Sequence, residues 1–272
     1  MASRTNNNQP IGIFDSGIGG LTVANAINTI LPNEQLVYFG DTAHLPYGDK
    51  SAESIKHYAE KITDFLLALD CKMVIIACNT ASSVAFKNVV EHTKGRAIVV
   101  NVIDPVVEYV ASKFNNVKVG VIGTKGTINS RVYVRKIQAL NKTIKVTSLA
   151  TPLLAPMVEE GYYNNYISQT IINSYLSKKS LSKIKALILA CTHYPLIKPE
   201  VRTYYKNQVS IIDSAEIVAR YVKKQLRGKM ANPSKRRKKH RFYVSDFTES
   251  FEKSTQIFFK NKLHLDEARI WD

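Results

Sequence analysis

"LILACTHYP" (187–195) and "VIIACNTAS" (74–82) align with each other without a gap. Both run through apolar residues into Ala-Cys and then a polar cluster, so Cys78 and Cys191 occupy equivalent places. A short apolar run that stops at a turn predicts a strand buried on both faces. A chain that builds the same thiol-bearing corner twice points to a need for two thiols.

The repeat extends outward from the cysteines. "IGIFDSG" at 11 and "VGVIGTKG" at 119 both enter a turn with a hydroxyl residue, Ser16 in one and Thr124 in the other. Further apolar runs, "LVYFG" at 36, "MVIIA" at 73, "AIVVNV" at 97, "ALILA" at 186 and "VSIID" at 209, predict more buried strands. Between them, Ile55, Tyr58, Ala59, Ile62, Phe65, Leu66 and Leu69 recur at helical spacing behind a Ser51 cap. Strands alternating with helices predict parallel sheets joined by right-handed crossovers. The fold class that follows is α/β, with two pseudo-symmetric, doubly wound parallel-sheet domains. Ligands collect at the carboxyl ends of strands in such sheets, so two facing units would place all four turns around one cleft.

Bulk properties narrow the function. The 272 residues are 45% apolar, enough for one large domain or two smaller ones. The opening "MASRTNNNQP" lacks the apolar stretch of a signal peptide, and no later run is long enough to span a bilayer. The expectation is a soluble, cytoplasmic protein without a membrane partner. Three cysteines, Cys71, Cys78 and Cys191, do not suggest a disulfide framework, and no CxxC or paired Cys/His spacing suggests a metal. The net charge is +16, but residues 223–241 hold ten Lys or Arg and no acid, leaving 28 basic and 22 acidic residues elsewhere. A solvated basic segment is the simpler reading of 223–241; the sharper one is an accessory contact with nucleic acid or another anionic partner.

The residues after each cysteine carry the chemistry. Asn79, Thr80, Ser82 and Ser83 follow Cys78, and Thr192 and His193 follow Cys191, whereas Cys71 has no such flank and reads as structural. A thiol where a strand leads into a helix meets unpaired N–H groups and the positive end of the dipole, which can bring its pKa from about 8.5 to about 7. One thiol with His193 would serve a hydrolase and leave the other idle. Two opposed proton-exchanging groups are what inversion at a carbon requires, and no motif for pyridoxal phosphate, flavin or nucleotide is visible, so no cofactor is expected. Gly17, Gly19 and Gly20 match neither GxGxxG nor GxxxxGK[ST], and Asp15-Ser16-Gly17 also reads as turn chemistry.

Six stretches in order, "IGIFDSGIGGLTV" (11–23), "GDTAHLPYGDKS" (40–51), "ACNTAS" (77–82), "PMVEEG" (156–161), "LACTHYPLI" (189–197) and "FYVSD" (242–246), closely resemble the glutamate racemases of the aspartate/glutamate racemase family. The resemblance implies cofactor-independent interconversion of L- and D-glutamate, supplying the D-isomer for peptidoglycan and hence for cell shape. It implies a first α/β domain over 1–102, a second over 103–212, and a segment, 213–272, that completes the first. By motif match Cys78 and Cys191 are the two bases, on the D- and L-glutamate sides respectively. Asp15 and His193 match auxiliary groups beside them, and Glu159 or Glu160 matches the acid near His193. Ser16, Tyr47, Gly48, Asn79, Thr80, Thr124 and Thr192 match positions that hold the amino acid, together with Asp15 and His193. A homodimer is a further expectation from the resemblance. His44 and Thr151 depart from it, standing where Arg and Cys are common. An aspartate or other amino-acid racemase of the same family, and a binding protein acting through 223–241, remain the alternatives.

Overall fold

The apolar runs form parallel strands whose order is repeated. The computed structural model describes residues 7–231, 239–259 and 263–271. Its strands are β1 (Ile11–Asp15), β2 (Leu36–Gly40), β3 (Met73–Ile76), β4 (Ile98–Asn101), β5 (Lys118–Gly123), β6 (Lys145–Ala150), β7 (Ala186–Ala190), β8 (Ser210–Asp213), β9 (Arg241–Val244) and β10 (Asp266–Glu267). One sheet has the order β10-β9-β2-β1-β3-β4 and the other β6-β5-β7-β8, with every pairing parallel. The segments β2-β1-β3-β4 and β6-β5-β7-β8 are therefore the same arrangement built twice. Cys78 leaves β3 and Cys191 leaves β7, at corresponding corners.

The central strands are apolar because helices cover both faces. Every residue of β1, β2, β3 and β7 is buried. Burying a Val, Leu, Ile or Phe side chain contributes about 1.5–3 kcal/mol. The prediction of burial on both faces does not hold for β4 and β8, which lie at sheet edges and keep partly exposed residues. The strand β6 escaped the sequence reading because "KVTSLA" mixes charge and hydroxyls, as suits an edge strand with little full burial.

The helix predicted behind Ser51 runs over Ala52–Ala68, and Ser51 Oγ accepts the Ser54 N–H at 3.1 Å. Ile55, Ala59, Ile62 and Leu66 form its buried stripe, while Tyr58, Phe65 and Leu69 pack at its margin. Two further features position the site. The helix Ser214–Gln225 leaves β8 and packs on the helix Leu21–Ile30 that follows β1, so the chain after the second sheet returns to the first. One apolar cluster joins Ile13 and Ile75 of the first sheet to Ile122 and Leu189 of the second. The basic run 223–241 starts on this returning helix; its residues 232–238 lie outside the described residues. Among the described residues no helix is long and apolar enough to cross a membrane.

Candidate active site

Turns from the carboxyl ends of both sheets enclose a cavity of about 230 Å³. Cys78 and Cys191 both line it, with Ser16, Tyr47, Gly48, Asn79, Thr80, Thr124, Glu159, Thr192 and His193. The sequence thus named most of the wall. It omitted Leu45, Pro46, Ala155, Pro156 and Ala190, which supply its apolar part. Asp15 is fully buried and lies behind the wall rather than in it. Cys71 is buried elsewhere, against Gly12, in keeping with a structural role.

Cys78 begins the helix Asn79–Val84, and its sulfur receives the Ala81 N–H at 3.5 Å. Ser16 Oγ lies 3.7 Å from the same sulfur. The helix end does not bring this thiol down: burial, then the Asp15 charge, push Cys78 up to about 12. A six-residue helix and one backbone donor do not offset removal of the sulfur from water. Burial and the Asp15 charge thus favour the neutral thiol at Cys78.

Cys191 has a different neighbour. His193 Nδ1 lies 3.6 Å from its sulfur, and His193 Nε2 lies 2.8 Å from Glu159 Oε1, an ion-pair contact not aligned as a hydrogen bond. Glu160 is exposed, so Glu159 is the acid that meets this histidine. Burial pushes His193 down, but the Cys191 sulfur and the Glu159 carboxylate outweigh it and leave the imidazole well above its ordinary value.

Asp15 joins the two thiol corners. Its Oδ2 accepts the Gly17 and Gly20 N–H groups at 3.2 and 3.0 Å, and Thr192 Oγ1 donates to its Oδ1 at 3.5 Å. The turn reading of Asp-Ser-Gly and the auxiliary reading thus describe one side chain. Burial raises the Asp15 pKa, against the lowering effects of His193 and the two N–H groups. Asp15 thus takes two of the N–H groups of the glycine-rich turn, those of Gly17 and Gly20, for its own carboxylate. Gly19 is needed for space, since a Cβ there would sit 2.5 Å from His193 Cε1 and 2.7 Å from Nδ1.

Hydroxyl and amide contacts close the cleft. Thr80 and Thr124 from opposite sheets are 2.9 Å apart at their hydroxyls, and Thr22 Oγ1 donates to the Thr192 carbonyl at 3.0 Å. Tyr133 Oη donates to Asn79 Oδ1 at 2.7 Å and so fixes which way that amide faces. Asp41 lies beneath Tyr47, accepting its Oη at 2.6 Å and Ser245 Oγ at 2.8 Å, and it meets His44 Nδ1 at 3.0 Å. Asp41 and Tyr133 were not singled out in the sequence; an acid directly after a buried strand, as in "YFGD", is the one local signal for the former. Thr151, where the resemblance expects Cys, bonds to Tyr194 Oη at 2.7 Å.

Residues 19–222 match the model of the Asp/Glu/Hydantoin racemase family. The chain belongs to this family. Within it, the chain is 40% identical to the glutamate racemase of Chlorobaculum parvum over 255 residues, covering 93% of each chain. It is also 40% identical to the glutamate racemase of Geobacter metallireducens, again over 93% of each. The structure of the Francisella tularensis glutamate racemase in complex with D-glutamate superposes with a TM-score of 0.90 at 37% identity, covering 97% of this chain and 99% of the other. The aspartate racemase of Picrophilus torridus, at 19% identity and a TM-score of 0.57, shares the fold alone. In this chain both thiol corners of the duplicated strand order line the one cavity.

Proposed function

We propose that this racemase interconverts L- and D-glutamate without a cofactor, using Cys78 and Cys191 as the two proton-exchanging groups. The observation that carries the reading is that two thiols on equivalent strand ends of a repeated sheet arrangement line one small cavity. Its volume of about 230 Å³ is below that of drug-sized pockets, about 300–1,000 Å³, and suits an amino acid. Relatives of nearly equal length named glutamate racemase support glutamate as the substrate.

The reaction proceeds from either enantiomer. A thiolate on one face takes the Cα proton, and the electron pair left on carbon delocalises into the carboxylate. The thiol on the other face gives its proton to Cα, so the product has inverted and the two sulfurs have exchanged protonation states. The reverse reaction restores them. Ser16, Asn79, Thr80 and Thr192 line the cavity with hydroxyl and amide groups of the kind that hold carboxylates and stabilise developing charge. His193, kept protonated by Glu159, is the group placed to pass a proton to and from Cys191. Cys78 starts as a thiol with a high pKa, so a charge must arrive before it can act as a base. The α-ammonium of the substrate supplies that charge, since a nearby cation favours the thiolate. The motif match puts Cys78 on the D-glutamate side and Cys191 on the L-glutamate side, and the product D-glutamate serves peptidoglycan synthesis.

Three subsidiary proposals accompany the reading. The division into 1–102, 103–212 and a completing 213–272 is supported by β9 and β10 joining the first sheet. A homodimer is tested by sedimentation. An accessory anionic contact through 223–241 is tested by salt-dependent binding, which must steepen with the number of phosphates neutralised.

The test is turnover in heavy water. L-Glutamate should give D-glutamate deuterated at Cα, with aspartate turned over far more slowly. Return of unlabelled L-glutamate from folded, reduced protein rejects racemisation, and faster inversion of aspartate rejects glutamate as the substrate.

A further inference from the structure

The wall formed by Leu45, Pro46, Tyr47 and Gly48 comes from one turn after β2, and what lies behind that turn comes from elsewhere in the chain. His44 stacks on Tyr58 with ring centroids 4.1 Å apart and planes 19° from parallel. Trp271 meets both rings edge-on, His44 at 4.6 Å and Tyr58 at 5.4 Å. Tyr58 in turn lies 5.7 Å from Tyr47, which lines the cavity. The edge-to-face geometry is the favourable one for aromatic quadrupoles. Trp271 Nε1 is buried without a hydrogen-bond partner among the described residues, so the indole is held by ring packing.

The segment carrying Trp271 is itself anchored. Asp266–Glu267 pairs with β9, the Ala268 N–H donates to the Val244 carbonyl at 2.9 Å, and Ala268, Ile270 and Trp271 pack on the apolar cluster that contains Tyr47 and Ile55. Asp41 ties the same turn from below through Tyr47 and His44, and Ser245, just past β9, reaches that carboxylate. The carboxylate of Asp41 and the ring of Trp271 thus both engage His44, the residue that leads into the turn.

We propose that Trp271 is a positioning residue for the racemase reaction, acting through His44 and Tyr58 to hold the Leu45–Gly48 wall against the substrate. The inference rests on the proposed glutamate site but can be read without turnover. Loss of the indole frees the wall, which weakens substrate binding and uncovers Cys78, while the sulfurs and His193 keep their places. Two aromatic pairs of ordinary strength, if fully expressed in binding, correspond to a rise in KM of about 5- to 150-fold.

The experiment compares wild type, Trp271→Ala and Trp271→Phe. Trp271→Ala should raise KM for both enantiomers about 5-fold or more with kcat held within about 3-fold, and Trp271→Phe should restore most of the affinity. A small disulfide reagent should modify Cys78 faster in Trp271→Ala than in wild type, as read by peptide mass spectrometry. An unchanged KM, a loss confined to kcat, or a Phe variant as impaired as the Ala variant overturns the proposal. Should Trp271→Ala fail to fold, Trp271→Leu keeps apolar volume without the ring and is judged by the same criteria. Should the wild type not racemise glutamate, the functional reading fails separately, and unchanged Cys78 reactivity alone then rejects the clamp.

Discussion

Modification of Cys78 as a function of pH separates the buried thiol described above from the activated thiolate that its strand-end position suggests. At pH 8 an ordinary thiol is about one-quarter ionised. A thiol at about 12 is ionised in about one molecule in ten thousand. A more basic sulfur is also the better nucleophile, with a Brønsted slope of about 0.4–0.5, which returns a factor of about 25–55. The net expectation for exchange with a small disulfide at pH 8 is a rate about 40–100-fold below that of an ordinary thiol. Limited access lowers the rate further but does not move the pH at which it levels off, so the pH profile decides. The rate constant at Cys78, followed by peptide mass spectrometry in substrate-free protein, should rise about tenfold per pH unit from pH 8 to 10 without a plateau. The same shift acts on stability. With its folded-state pKa raised, the thiol ionises first in the unfolded chain, so folding stability should decline as pH rises above about 9. A rate that levels off below about pH 9 would refute the argument that burial outweighs the helix end and the Ala81 N–H.

Three other outcomes follow from the geometry. Gly19→Ala places a methyl group 2.5 Å from His193 Cε1, so the ring must move; kcat/KM should fall about 100-fold while circular dichroism stays unchanged. Glu159→Gln removes one of the two partners that keep His193 protonated, so the imidazole should lose its proton at lower pH, as followed by its ring C–H resonances in NMR. The ion pair between Lys72 and Glu34, 2.7 Å long with both side chains 2% exposed, also fixes the Asn7 and Lys229 carbonyls; Lys72→Met should cost about 3–5 kcal/mol by urea unfolding.

The residues that sequence made legible are those whose chemistry is local. Cys78 and Cys191 announce themselves because a buried parallel strand has one apolar signature and its end has one polar signature, and both occur twice. The Ser51 cap and its helical stripe were legible for the same reason. Long-range features were less so. Nothing near Asn79 shows that Tyr133 will orient its amide, and nothing near His44 shows that residue 271 will cover it, because both contacts are made only by folding. The protonation of Cys78 is not legible in the sequence, because the helix end can be seen there and burial cannot. The choice between Glu159 and Glu160 needed only the turn of a short helix, which points one carboxylate at His193 and the other into solvent.

The claim on which the account depends is that each sulfur serves one face of a single Cα. The most direct measurement follows inversion and Cα deuterium uptake separately, from L- and from D-glutamate in heavy water, in Cys78→Ala and Cys191→Ala. Each variant should lose inversion in both directions by at least about 10²–10⁴-fold, because neither face can be served by the opposite thiol. Inversion at a near wild-type rate in either variant would contradict the account.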